Sequence, residues 1–193
     1  MSLDGLNPKT TALVIIDLQK GIASAAVEPH NSADVIARSS AMAKALRKAG
    51  GVVVQVRVGF AADFADALKQ PSDEPVQRPA GGLPPEWLAY AEDLSVEPAD
   101  IEVIKRQWGA VYGTELELQL RRRGVETVVM CGISTNFGVE STARDLWERG
   151  FSLVFAEDAM ASRLAEMHAF PVKFIFPRMG RVRSTEDVLA ALG

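Results

Sequence analysis

A chain of 193 residues, 48% hydrophobic and 24% charged, is long enough to bury a sizeable core and has the size of one compact globular domain, expected to span residues 1–193. Its formal charge of -4 and pI near 5.3 exclude a surface built to neutralise phosphates, so nucleic acid is not an expected partner. A single cysteine, Cys131, excludes an intrachain disulfide and any zinc site made of several thiolates, which fits a reducing compartment; with no bilayer-length apolar stretch and no basic-then-apolar leader, the expected location is the cytoplasm, away from membranes.

Residues 1–8 read as a flexible start. The aliphatic run Leu13-Val14-Ile15-Ile16 suits a strand buried on both faces, and it ends at Asp17. Residues 33–48 carry apolar side chains at helical spacing and stop at Gly50-Gly51. Residues 52–58 form the second predicted strand. From Gly59 to Asp100 runs a long, proline-rich, irregular excursion of the kind that covers a site, with residues 63–70 its one helical patch and Trp87 a candidate for packing at a subunit edge.

Residues 101–104 are a short third strand, and residues 114–123 a helix that Thr114 can cap and whose basic end, Arg121-Arg122-Arg123, suits the negative pole of the helix before Gly124. The strongest unit follows: a strand over 125–131, a polar turn over 132–138 and a helix over 139–149. Residues 151–155 give a fifth strand and 158–169 a helix. Strand or turn candidates lie at 172–176 and 181–182, and a last helix covers 185–192. Strands alternating with helices predict βαβ units, hence an α/β fold: an open, Rossmann-like parallel sheet in three layers.

In such sheets ligands bind beyond the carboxyl ends of the strands, which directs attention to Asp17, Arg57, Gly59, Lys105 and the turn Gly132-Ile133-Ser134-Thr135-Asn136-Phe137-Gly138. An aspartate directly after four aliphatic residues is costly to desolvate unless paired, and Lys105 at a neighbouring strand end can pair it. Read structurally, the two form a salt bridge; read functionally, they are an acid–base pair. The turn leads straight into a helix, whose backbone N–H groups can hold an oxyanion or carboxylate.

The segments TALVIIDLQKG (11–21), VIKRQWGAVYGTELELQLRRRG (103–124), VVMCGISTNFGVESTARD (128–145) and FAEDAMAS (155–162) resemble, in order and spacing, the isochorismatase-like hydrolases of the cysteine hydrolase superfamily. The resemblance implies a six-stranded parallel sheet, Asp17 and Lys105 as catalytic carboxylate and lysine, and a cis peptide at Ile133-Ser134. It also implies a homo-oligomer, dimer or tetramer. Where the amidases of this superfamily, such as nicotinamidase, carry the nucleophilic cysteine, this chain has Gly138. Cys131, inside a strand, reads as a small buried hydrophobe, and no histidine accompanies the hydroxyls of Ser134, Thr135, Ser141 and Thr142. Members with glycine at this place include isochorismatases, which cleave a vinyl ether without a covalent intermediate, although their aromatic and histidine turn pattern is not matched by Ser134, Thr135 and Asn136.

The expected function is therefore a hydrolase of a small carboxylate- or amide-bearing metabolite in which Asp17 and Lys105 work beside Gly138 with water as the nucleophile. Gln19, Trp108, Tyr112, Ile133, Ser134 and Phe137 are the expected substrate contacts, the aromatics having core packing as their other reading. No cofactor is expected. No metal is expected either, because the two histidines, His30 and His168, are far apart in the chain and neither follows the second strand, where nicotinamidases bind theirs. The alternative is a silent family member that binds a small molecule or serves as an oligomeric scaffold.

Overall fold

The computed structural model describes Leu3 and residues 5–193. Six strands, β1 (Thr11–Ile16), β2 (Val52–Val58), β3 (Ile101–Lys105), β4 (Thr127–Ile133), β5 (Ser152–Ala161) and β6 (Gly180–Arg183), pair in parallel in the order β3-β2-β1-β4-β5-β6. The helices are α1 (Lys20–Ala23), α2 (Ser32–Lys48), α3 (Leu116–Arg122), α4 (Glu140–Glu148), α5 (Ala165–Phe170), α6 (Phe176–Met179) and α7 (Thr185–Leu192). No helix among the described residues is long and apolar enough to cross a membrane.

The period-2 alternation of strand side chains divides the core. Leu13, Ile15, Val53, Val129, Cys131 and Val154 face α2 and α7, meeting Val35, Met42, Leu46 and Val188. Ala12, Val14, Ile16, Val54, Met130 and Phe155 face the other way, meeting Leu116 and Leu120 of α3, Ala143 and Leu146 of α4, and Phe176 of α6. The sheet is thus covered on both sides, which is why β1 reads as an unbroken apolar run. Phe155 and Phe176 stack with ring centroids 4.0 Å apart. The helix ends follow their local chemistry: the Asn31 side chain caps α2 by accepting from Asp34 N–H, and Ser184 with Asp187 makes a capping box on α7.

Four segments differ from the sequence reading. Residues 63–70 are turns rather than a helix, because the Asp63 and Asp66 carboxylates accept from the N–H groups of Ala65 and Ala61, and so short a stretch gains little from helix formation. Residues 158–161 prolong β5 instead of starting a helix: Ala159, Met160 and Ala161 are fully buried, while Asp158 accepts from the N–H and hydroxyl of Thr185 at the start of α7. Residues 172–176 are helical, since Val172, Ile175 and Phe176 are spaced to bury one helical face. Of the expected flexible start, Met1, Ser2 and Asp4 lie outside the described residues; Leu3 and Leu6 are buried, and Pro8–Thr10 forms a 3-10 turn.

The excursion from Gly59 to Asp100 has one short 3-10 turn, Pro85–Leu88, and is held at both ends by polar anchors. Gln19 reaches into it from the end of β1, donating to the carbonyls of Val58 and Trp87 and accepting from Val58 N–H. At the far end the Arg47 guanidinium grips both oxygens of Asp100 at 2.8 and 2.6 Å, and the Asp100 side chain is only 2% exposed. Trp87 is partly buried, with its ring against Gly21. Replacing Arg47 by Met strands a buried carboxylate, so Arg47→Met is expected to cost about 3–5 kcal/mol, read as a lower urea midpoint at unchanged m-value.

Candidate active site

The strand order places β4 beside β1 while β2 and β3 are added on the other side, so the order of strand addition reverses between β1 and β4 and opens a crevice at their carboxyl ends. Asp17 follows β1 there with φ of 54°, a left-handed conformation that aspartate tolerates better than most residues. Its Oδ2 lies 2.8 Å from Nζ of Lys105, the last residue of β3, two strands away. Both are buried, 5% and 2% exposed. Lys105 also donates to the Gln107 carbonyl at 3.1 Å. Asp17 Oδ1, by contrast, is buried with no hydrogen-bond partner.

That arrangement sets the carboxyl's proton affinity. Burial raises the Asp17 pKa from its ordinary 3.8 to about 6, and the neighbouring Lys105 ammonium opposes the rise. A carboxyl with one oxygen on a cation and the other free, titrating near 6, is equipped to give or take a proton close to neutral pH.

The turn after β4 closes the crevice. Gly132 has φ of 116°, and a Cβ there would fall 2.1 Å from the Ile16 carbonyl oxygen, so only glycine lets β4 approach β1 so closely. The Ile133–Ser134 peptide is cis. The Ser134 carbonyl accepts from Phe137 and Val139 N–H as the chain enters a π-helical turn, Thr135–Val139, that continues into α4. A Cβ on Gly138 would stand 3.1 Å from Asp17 Oδ2, 3.5 Å from Lys105 Nζ and 2.8 Å from Ile16 Cγ2. Gly138 is therefore the third wall of the Asp17–Lys105 site, packed so closely that any side chain must displace buried Ile16.

The expected contacts sort into different roles. Phe137 and Trp108 are exposed and pair with ring centroids 4.7 Å apart, joining the turn before Gly138 to the segment after Lys105. Neither is core. Tyr112 is 77% exposed and lines a surface groove of about 480 Å³ with Val111, Glu117 and Arg149, away from Asp17 and Lys105. The Ile133 side chain is buried in the layer facing α2, so only its backbone belongs to the turn. Gln19, fully buried and engaged with Val58 and Trp87, is a strut between the end of β1 and the irregular excursion. Glu140 and Arg144 form a helix-face ion pair at 2.9 Å. Cys131 is fully buried beside the Ser39 hydroxyl, and burial pushes its thiol up to about 12, which leaves it no thiolate character.

Two connections escape a sequence reading. The Thr142 hydroxyl donates to the Gly138 carbonyl at 2.7 Å and accepts from Ala110 N–H at 3.0 Å, tying the turn to the segment after β3. Its place four residues after Gly138, where a helical hydroxyl bonds back to the previous turn, was the available signal. The histidines, distant in the chain, stand with ring centroids 5.8 Å apart, and both face Glu157 of β5. Among the described residues these three form a group whose donor atoms lie within 4.8 Å of one another. His168 Nδ1 also lies 2.9 Å from Thr135 Oγ1, which corrects the expectation that no histidine accompanies the hydroxyls near the turn: the fold brings together residues 33 apart in the chain.

The isochorismatase domain model matches residues 11–187. This chain belongs to the isochorismatase family of hydrolases. Isochorismatase family protein YecD of Escherichia coli O157:H7 is 56% identical over 97% of this chain and 98% of its own. Ureidoacrylate amidohydrolase RutB of Methylobacterium radiotolerans is 30% identical over 97% of this chain and 81% of its own. The solved isochorismatase family protein of Burkholderia thailandensis superposes with a TM-score of 0.92 at 43% identity, covering 97% of each chain. The six-stranded parallel α/β sheet is thus the family's fold.

Within this isochorismatase-family site, Lys105→Met removes the charge that lowers the Asp17 pKa, so the carboxyl is expected to titrate above about 6 in a carbon-detected NMR titration. Gly138→Ala is expected to destabilise the protein by about 1–3 kcal/mol through overpacking against Ile16, measured by chemical denaturation.

Proposed function

We propose that the chain is a hydrolase acting on a small carboxylate- or amide-bearing metabolite, with Asp17 as the proton-transfer group, Lys105 as its cationic partner and water as the nucleophile. The single observation that carries this reading is the Asp17 carboxyl itself: Oδ2 on Lys105, Oδ1 buried and unpaired, and a pKa near 6. Gly138 stands where the superfamily's amidases have their cysteine, and the fit of Ile16 against it leaves no room for a thiol without rearrangement. The reaction therefore proceeds without an acyl-enzyme on this residue. The ammonium of Lys105 and the leading N–H groups of the turn after Ser134 hold the substrate's oxygen or carboxylate. Likeness to a ureidoacrylate amidohydrolase supports a C–N bond as the one cleaved; glycine at 138 supports a vinyl ether.

Stability argues against a silent scaffold. Because the Asp17 pKa is raised in the folded state, the carboxyl favours folding while protonated, and that contribution is lost as pH rises through about 6. Above that pH the fold maintains a buried ion pair that apolar residues of similar size would replace at no loss. Retaining it serves chemistry.

The direction of the pH profile identifies the bond. For an amide, Asp17 must be ionised to take a proton from water, so kcat/KM rises with pH through about 6; for a vinyl ether, Asp17 must be protonated to give one, so kcat/KM falls through the same point. Asp17→Asn is expected to lower kcat by about 10²–10⁴ on any substrate found in a panel of amides, carbamates and vinyl ethers. Wild-type turnover by both Asp17→Asn and Lys105→Ala would overturn the assignment.

A further inference from the structure

We propose that His30, Glu157 and His168 form a binding site for a divalent transition metal of the zinc type, separate from the Asp17–Lys105 pair and connected to the catalytic turn through Thr135. Three segments build it: the loop before α2 supplies His30, the irregular part of β5 supplies Glu157, and α5 supplies His168. The register explains why Glu157 is available. Met130 pairs with Phe155 but Gly132 pairs with Met160, so β5 carries extra residues between these points and Glu157 sits in the resulting bulge.

The donor atoms converge without satisfying one another. Nε2 of His30 lies 3.8 Å from Glu157 Oε2, and Nε2 of His168 lies 3.7 Å from the same oxygen. These separations are too long for hydrogen bonds. They are close to the roughly 3.3 Å between neighbouring ligands of a tetrahedral ion bound at about 2.0–2.1 Å. Two imidazoles and one carboxylate are the set that zinc takes when it keeps a fourth position open.

The outer shell is built as a metal site requires. His168 is 4% exposed, and its Nδ1 lies 2.9 Å from Thr135 Oγ1, which leaves Nε2 turned to Glu157. With an ion on Nε2, Nδ1–H donates to that hydroxyl and fixes the ring. The loop carrying His30 is fastened to the same corner: Glu28 and Ser162 exchange backbone hydrogen bonds at 2.7 and 2.8 Å, and Glu28 Oε2 accepts from Ala165 N–H. Thr135 opens the turn that ends at Gly138, so an ion here clamps the loop, the bulge and α5 to the wall of the catalytic crevice.

Cobalt(II) and zinc(II) titrations of the metal-stripped full chain test the site. The expected result is one cobalt per chain with the visible bands of a low-coordinate cobalt ion, displaced by zinc, and a raised melting temperature in zinc. His30→Ala and Glu157→Gln alter partly exposed groups and should fold; each is expected to abolish the cobalt bands and the thermal shift. Thr135→Val, which removes only the outer partner, is expected to weaken affinity about 10–100-fold. Asp17→Asn is expected to bind cobalt as wild type does, which keeps this test independent of the proposed hydrolase. Absence of stoichiometric cobalt binding, or binding that survives both His30→Ala and Glu157→Gln, would overturn the site.

Discussion

A buried carboxylate held against a buried ammonium is the constraint from which the rest of this molecule follows. Asp17 and Lys105 come from strands separated by β2, so their 2.8 Å contact exists only while three strands keep register at their carboxyl ends. Desolvating two charges is expensive, and the pair recovers that cost only with good geometry. The geometry here is incomplete by one bond. The orphaned Asp17 oxygen is the part of the arrangement that packing leaves unsatisfied.

The surroundings are organised to keep that pair in place. Gly132 lets β4 press against the carbonyl of Ile16, and Gly138 lets the following turn press against the Asp17 and Lys105 side chains. Thr142 ties the same turn to the segment beyond β3. Gln19 and the Arg47–Asp100 clamp fasten the two ends of the long irregular excursion, which otherwise has little regular structure to hold it. The Thr142, Gln19 and Arg47 links are polar contacts to a backbone or a buried charge, where loss of one partner costs more than the contact itself contributes. The bulge of β5 adds a second polar corner, where Glu157 meets both histidines on the far side of Thr135.

The chain's local patterns determined much by themselves. The apolar run before Asp17, the β-branched run over 52–58 and the glycine-terminated helices identified a covered parallel sheet, because burial on both faces and helix termination leave their marks within a few residues. Asp17, Lys105 and Gly138 were legible too, since each ends a strand or a turn and the topology rule points to such places. Tertiary structure alone decided the rest. Ala159, Met160 and Ala161 continue a strand because β4 lies beside them, and 172–176 coil because Phe176 finds Phe155. Gln19 became a strut through partners 39 and 68 residues away. The two histidines met through a bulge that no periodicity announces. Periodicity reports whether a face is buried; which distant group that face or side chain meets is fixed only when the strands are placed side by side.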